Sequence, residues 1–109
     1  MAFDEDLAAR VRERLARTKG VEEKRMFGGV GFLLHGNMLV GVWKDSLVVR
    51  LGPTEGEAAL REPHVGVFDI TGRAMKCWVL VAPEGVEEDA PLADWIGRAR
   101  AFVDTLPAK

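Results

Sequence analysis

Reactive residues are scarce in this chain. It has one cysteine, two histidines, a single serine and no tyrosine in 109 residues. The lone thiol, Cys77, forbids an internal disulfide and any cysteine-based metal cluster. One cysteine also fits a reducing cytoplasm. His35 and His64 both fall beside turn signals, and neither has a cysteine or a second histidine at metal-ligand spacing. Ser46 occupies a turn, and Cys77 sits in an apolar stretch with no base beside it in sequence. Nucleophilic, acid–base and metal-assisted catalysis therefore lack their usual constellations, and no enzyme, cofactor or metal is expected. No apolar run approaches the roughly 18 residues that would span a bilayer. The opening segment, MAFDEDLAAR, is acidic and lacks the apolar centre of a secretory signal. A cytoplasmic location without membrane contact is expected.

What is present suits a small globular domain. Hydrophobic residues make up 48% of the chain, enough for a core, and residues 1–109 form one domain at this length. With 15 basic and 17 acidic residues the net charge is −2, so no general pull toward nucleic acid arises. Charge is nevertheless uneven. Arg10, Arg12, Arg14, Arg17 and Lys19 crowd one segment, while residues 84–94 carry only acids among their charges.

Periodicity predicts an α+β fold in the order α-β-β-β-α-β-β-α. Leu7, Val11 and Leu15 form a helical stripe, with Asp4 as N-cap and Gly20 as terminator. Residues 30–34, 38–43 and 46–51 read as a strand meander with very short loops. Thr54 and Glu57 have capping-box spacing for a short helix, closed by Pro63. Strands at 65–70 and 76–82 follow, joined around Thr71 and Gly72. A last helix begins near Pro91 and buries Leu92, Trp95, Ile96, Ala99, Phe102 and Val103. The expected architecture has two layers: a five-stranded, mainly antiparallel sheet with helices on one face. Met38, Val40 and Val42 are expected on one side of their strand, Leu39 and Trp43 on the other. Both sheet faces are rich in apolar residues, and three helices cover only one, so a homodimer is expected.

The stretch RMFGGVGFLLHGNML, residues 25–39, mixes Gly28, Gly29, Gly31 and Gly36 with large apolar side chains. A phosphate-binding loop needs its glycines after a strand and opening a helix. Here they precede strands. The structural reading is a bend into the sheet at Gly28 and Gly29, with a hairpin at Gly36. Arg25, Arg50, Arg73 and Lys76, with the arginines of the first helix, would form a basic surface only if the fold gathered them.

The segment RMFGGVGFLLHGNMLVGVWKDSLVVRLG, then GRAMKCWVLVAPEG, then a tryptophan-bearing helix and a terminal LPAK, resemble the TfoX/Sxy amino-terminal domain family. The resemblance covers nearly the whole chain. It implies a fold similar to YgaC and the type III secretion chaperones, one antiparallel sheet with helices packed on it. Two-domain members regulate natural-competence genes together with a cyclic-AMP receptor protein. The present chain reads as a single-domain relative without their helical second domain.

The resemblance implies a non-enzymatic module that contacts another, unknown protein, as an accessory factor in transcriptional regulation. Arg25, Met26, Phe27, Gly28 and Gly29 match the family motif and are the candidate partner-binding residues. A small nucleic-acid-binding domain, with weak or indirect contact, is the alternative. An enzyme or small-ligand binder of unknown type is the second.

Overall fold

A computed structural model describes residues 3–26, 28–68 and 77–107 of the chain. Among these residues the elements run α1 (Glu5–Arg14), β1 (Val21–Met26), β2 (Gly29–Leu34), β3 (Asn37–Trp43), β4 (Ser46–Arg50), α2 (Pro53–Ala59), β5 (Val65–Val67), β6 (Trp78–Val81) and α3 (Asp89–Val103). A short 3-10 turn, Pro83–Gly85, links β6 to α3. The strands form one sheet in the order β1-β2-β3-β4-β6-β5, with every neighbouring pair antiparallel. The α+β class is as expected, but the sheet has six strands rather than five.

The extra strand is β1, VEEKRM. Its four consecutive charges hide any apolar alternation, so local propensity argues against a strand. Pairing with β2 overrides it, from Val21 opposite Leu34 to Met26 opposite Gly29. Such charges suit an edge strand, because they discourage pairing with another chain.

The first helix obeys its caps. One carboxylate oxygen of Asp4 accepts hydrogen bonds from the N–H groups of Asp6 at 3.0 Å and Leu7 at 3.1 Å. The helix ends at Arg14, with Leu15 as C-cap, rather than at Gly20. Gly20 instead stands at the entry to β1 with φ +84°, and a Cβ there would collide with the His35 ring. The capping box at Thr54 also fails. Pro53 takes the first turn of α2, Gly52 is the N-cap, and no side chain caps the helix.

Two turns explain residue choices directly. Leu34 pairs with Asn37 across His35 and Gly36, whose φ values are +51° and +84°. Two positive φ values are what a type I′ hairpin turn requires, and its twist matches the strands it joins. Met26 pairs with Gly29, so Gly28, at φ +75°, lies in the turn between β1 and β2.

All three helices contribute to a core on one side of the sheet. Leu7, Val11 and Leu15 come from α1 and its cap, Ala59 from α2, and Leu92, Trp95, Ile96, Ala99 and Val103 from α3. They meet Val30, Phe32, Leu34, Val40, Val42, Leu47, Val49, Val79 and Val81. A register shift between β2 and β3 corrects the expected faces. Phe32 pairs with Val40 but Leu33 pairs with Met38, which leaves Leu39 as a bulged residue. Leu39 therefore joins the core beside Val40, and Met38 turns to the other side.

The second side of the sheet is partly covered by the chain itself. The Phe68 ring lies 6.0 Å from Trp43 and 6.3 Å from Trp78, centroid to centroid. Val48, on that side, is fully buried. The apolar excess read from the strands is thus used in part within one molecule. The turn placed around Thr71 and Gly72 lies outside the described residues.

Candidate partner-binding site

The glycine stretch answers to hairpin geometry, not to phosphate binding. β1 and β2 form an antiparallel hairpin, and Gly29 opens β2 close against the β3 backbone at Val42 and Trp43. A Cβ on Gly29 would run into the Val42 carbonyl oxygen and stand 3.3 Å from Trp43 Cα. Gly28 is different: the space around it is open, and only its positive φ favours glycine. Met26 contributes its backbone to the ladder with Gly29. Phe27 lies outside the described residues.

Around this hairpin the fold assembles two cation–aromatic pairs. Arg25 is exposed, and its guanidinium carbon lies 5.4 Å from the centre of the Phe3 ring. Phe3 is held by a bridge to Lys44, and the Asp4 N–H donates to the Lys44 carbonyl at 2.6 Å. The Lys44 ammonium in turn sits 4.7 Å from the Trp43 ring. Gly29 packs on the backbone that carries this tryptophan. Phe3, Arg25, Trp43 and Lys44 thereby gather at one end of the sheet. Phe3 and Lys44 escaped the sequence reading because the contacts cross three separate segments and no local pattern joins them.

The other basic residues do not gather there. Arg50 is half-buried, with its guanidinium carbon 5.4 Å from Trp78 and 5.7 Å from Phe102. Its Nη1 reaches the Met38 carbonyl at 3.4 Å, while Nε is buried without a partner. Arg10 pairs with Asp89 at 3.2 Å, and Arg12 grips Glu23. Arg73 and Lys76 lie outside the described residues. The fold therefore does not gather these basic residues on one surface among the described residues.

Two ion pairs carry electrostatic weight. Arg12 donates two hydrogen bonds to Glu23, holding that carboxyl below its usual range and raising the guanidinium above its own. Arg98 does the same to Glu62, at 3.1 and 2.7 Å, while stacking 4.2 Å from the centre of the Trp95 ring. The first pair ties α1 to β1, and the second ties α3 to the segment after α2.

Nothing in the described residues assembles a reactive centre. No group of three or more His, Cys, Asp or Glu side chains is placed to hold a metal ion among them. His35 and His64 both occupy positive-φ turn positions. Cys77 precedes β6 instead of lying within a strand, and its carbonyl accepts from the N–H groups of Leu51 and Gly52. A depression of about 260 Å³ is lined by Arg10, Glu13, Arg14 and Asp89, and another of about 290 Å³ by Leu51, Glu55, Arg98, Ala101 and Phe102. Neither touches the Arg25–Gly29 hairpin. No described helix is long and apolar enough to cross a membrane.

No curated protein matches the chain. The family match is extensive: residues 13–103 of the 109 align with the TfoX N-terminal domain, a family associated with competence regulation. That span contains the RMFGG segment, the β1–β2 hairpin, the whole described sheet and all of α3. This chain belongs to the TfoX N-terminal domain family.

Proposed function

We propose that the chain is a non-enzymatic protein-interaction module that serves as an accessory factor in transcriptional regulation. The observation that carries this reading is the pair of cation–aromatic stacks, Arg25 on Phe3 and Lys44 on Trp43, beside the family's glycine hairpin. Arginine and aromatic groups held on a rigid frame are what interface hot spots are built from. The frame here is the sheet end, where Gly29 seats the hairpin against β3. Two exposed cations select an acidic face on the partner.

Affinity capture from native lysate tests this, comparing the wild-type chain with Arg25→Glu and Lys44→Glu. A partner recovered by the wild type and lost from both variants, each with an unchanged circular dichroism spectrum, is expected. A partner set that ignores both reversals would overturn the reading.

A second reading has its own support. Arg14, Arg17 and Lys19 are exposed near the end of α1 and form no ion pair among the described residues. They suit contact with a phosphate backbone. Gel shift against duplex DNA and RNA at low salt decides it, since phosphate contacts are strongest there. Absence of binding removes this reading.

A further inference from the structure

The two edges of the sheet are built differently. β1 carries Glu22, Glu23, Lys24 and Arg25, the usual protection against edge-to-edge pairing. β5, at the opposite edge, reads Val65-Gly66-Val67 and carries no charge. Its outer side is accessible: Gly66 is exposed, Val67 is 47% exposed, and a Cβ on Gly66 would meet nothing within 4 Å. The other exposed large hydrophobic residue among those described is Leu60, at 40%, which caps α2, the helix that packs on β6 next to β5.

The ladder shows which backbone groups are left over. The Ala82 N–H donates to the His64 carbonyl, so His64 and Ala82 form a hydrogen-bonded pair. Antiparallel pairs alternate, which makes Gly66–Leu80 the next bonded pair. The N–H and C=O groups of Val65 and Val67 therefore point away from β6, toward solvent. The other side of β6 agrees. The Leu51 N–H donates to the Cys77 carbonyl, which assigns Cys77, Val79 and Val81 to β4.

We propose that this edge pairs with a second copy of the chain, β5 against β5, to give one continuous sheet through a twofold axis. The register is self-complementary. When Val65 faces Val67 of the second copy, every outward N–H and C=O on both valines finds a partner. Gly66 then meets its own equivalent at the axis, in the close, non-bonded type of pair where missing side chains let the strands approach. Val67 packs across the junction on Val65 of the second copy. An isologous contact of this kind closes on itself and needs no other surface. It is distinct from the Arg25 end, at the far edge of the sheet, so loss of one leaves the other intact.

Sedimentation of the full chain over a concentration series, with hydrogen exchange at both ends of the series, tests the proposal. The edge is small, so a weak, concentration-dependent dimer is expected. The amides of Val65 and Val67 gain protection with concentration, whereas the Gly66 amide, bonded to β6, is protected throughout. Val67→Pro removes only an outward N–H, and Val67→Lys places a charge on the edge. Both raise the dimer dissociation constant about tenfold or more, with melting temperature at low concentration preserved. A chain that stays monomeric at all concentrations overturns the assignment. So does a dimer that both variants leave unchanged, or an edge found occupied by an extended segment of a different protein.

Discussion

Arg12 and Glu23 join α1 to the edge strand β1 through two hydrogen bonds, Nε to one carboxylate oxygen at 2.7 Å and Nη2 to the other at 2.8 Å. Among the described side chains of this charged edge strand, the half-buried Val21 packs against the core, and the fork adds a direct tie to α1. Glu62 and Arg98 form a matching fork on the other side of the molecule.

The two forks contribute to the acid limb of stability. Hydrogen bonding from Arg12 and Arg98 lowers the pKa of Glu23 and Glu62 in the folded state. A lowered folded value contributes stability that is complete above the ordinary glutamate pKa, about 4.3, and is lost as pH falls through the folded value. Both carboxylates are more than a third exposed, so solvent screening holds each contribution to about 0.5 kcal/mol. Thermal melts from pH 6 to pH 3 should show a fall that Glu23→Gln and Glu62→Gln each make shallower. An unchanged pH profile in the double variant would show that other carboxylates set it.

Gly28 and Gly29 adjoin one another but answer to different constraints. Gly29→Ala drives a methyl group into the Val42 carbonyl and forces β2 off β3, at a cost of about 3 kcal/mol or more. Gly28→Ala meets open space and bears only the cost of a positive φ, about 1 kcal/mol. Urea unfolding of the two variants should rank them in that order. Equal effects would mean that the hairpin is not seated as described.

Asn37 is 3% exposed, and its Nδ2 donates to the Pro107 carbonyl at 2.9 Å, binding the end of the chain to the β2–β3 turn. Asn37→Leu leaves that carbonyl without its donor and should cost about 1–3 kcal/mol. Hydrogen exchange should then report earlier opening after Val103, before global unfolding. Stability equal to wild type would show that solvent replaces the bond.

Arg50 contrasts with the paired arginines. Its stem and guanidinium pack between Trp78 and Phe102, yet Nε has no acceptor. Arg50→Met keeps the packing and removes the orphaned donor, so stability should stay within about 1 kcal/mol of wild type. Arg50→Ala also loses the stem contacts and should be the more harmful of the two. Denaturant midpoints compare them. A methionine variant worse than alanine would mean that the charge itself is required.

Leu39 shows why periodicity alone misplaced part of β3. Strict alternation put it with Trp43, but one bulged residue moves every side chain before it to the opposite face. No turn residue or propensity marks that bulge. It places Leu39 in the core with Val40, and Leu39→Ala should cost about 2–5 kcal/mol as a core truncation. The missed strand β1 has the same origin. Its fitness as a strand lies in β2 beside it and Arg12 above it, both outside its own window.

The primary sequence by itself determined the α+β class, the helix stripes of α1 and α3, the Asp4 cap, the turn at His35–Gly36 and the family, because each depends on residues close together in the chain. Tertiary structure alone decided the strand order, the bulge, the edge positions of β1 and β5, and the meeting of Phe3, Arg25, Trp43 and Lys44. Those depend on which segments lie beside one another once the core closes, and short-range periodicity carries no record of that.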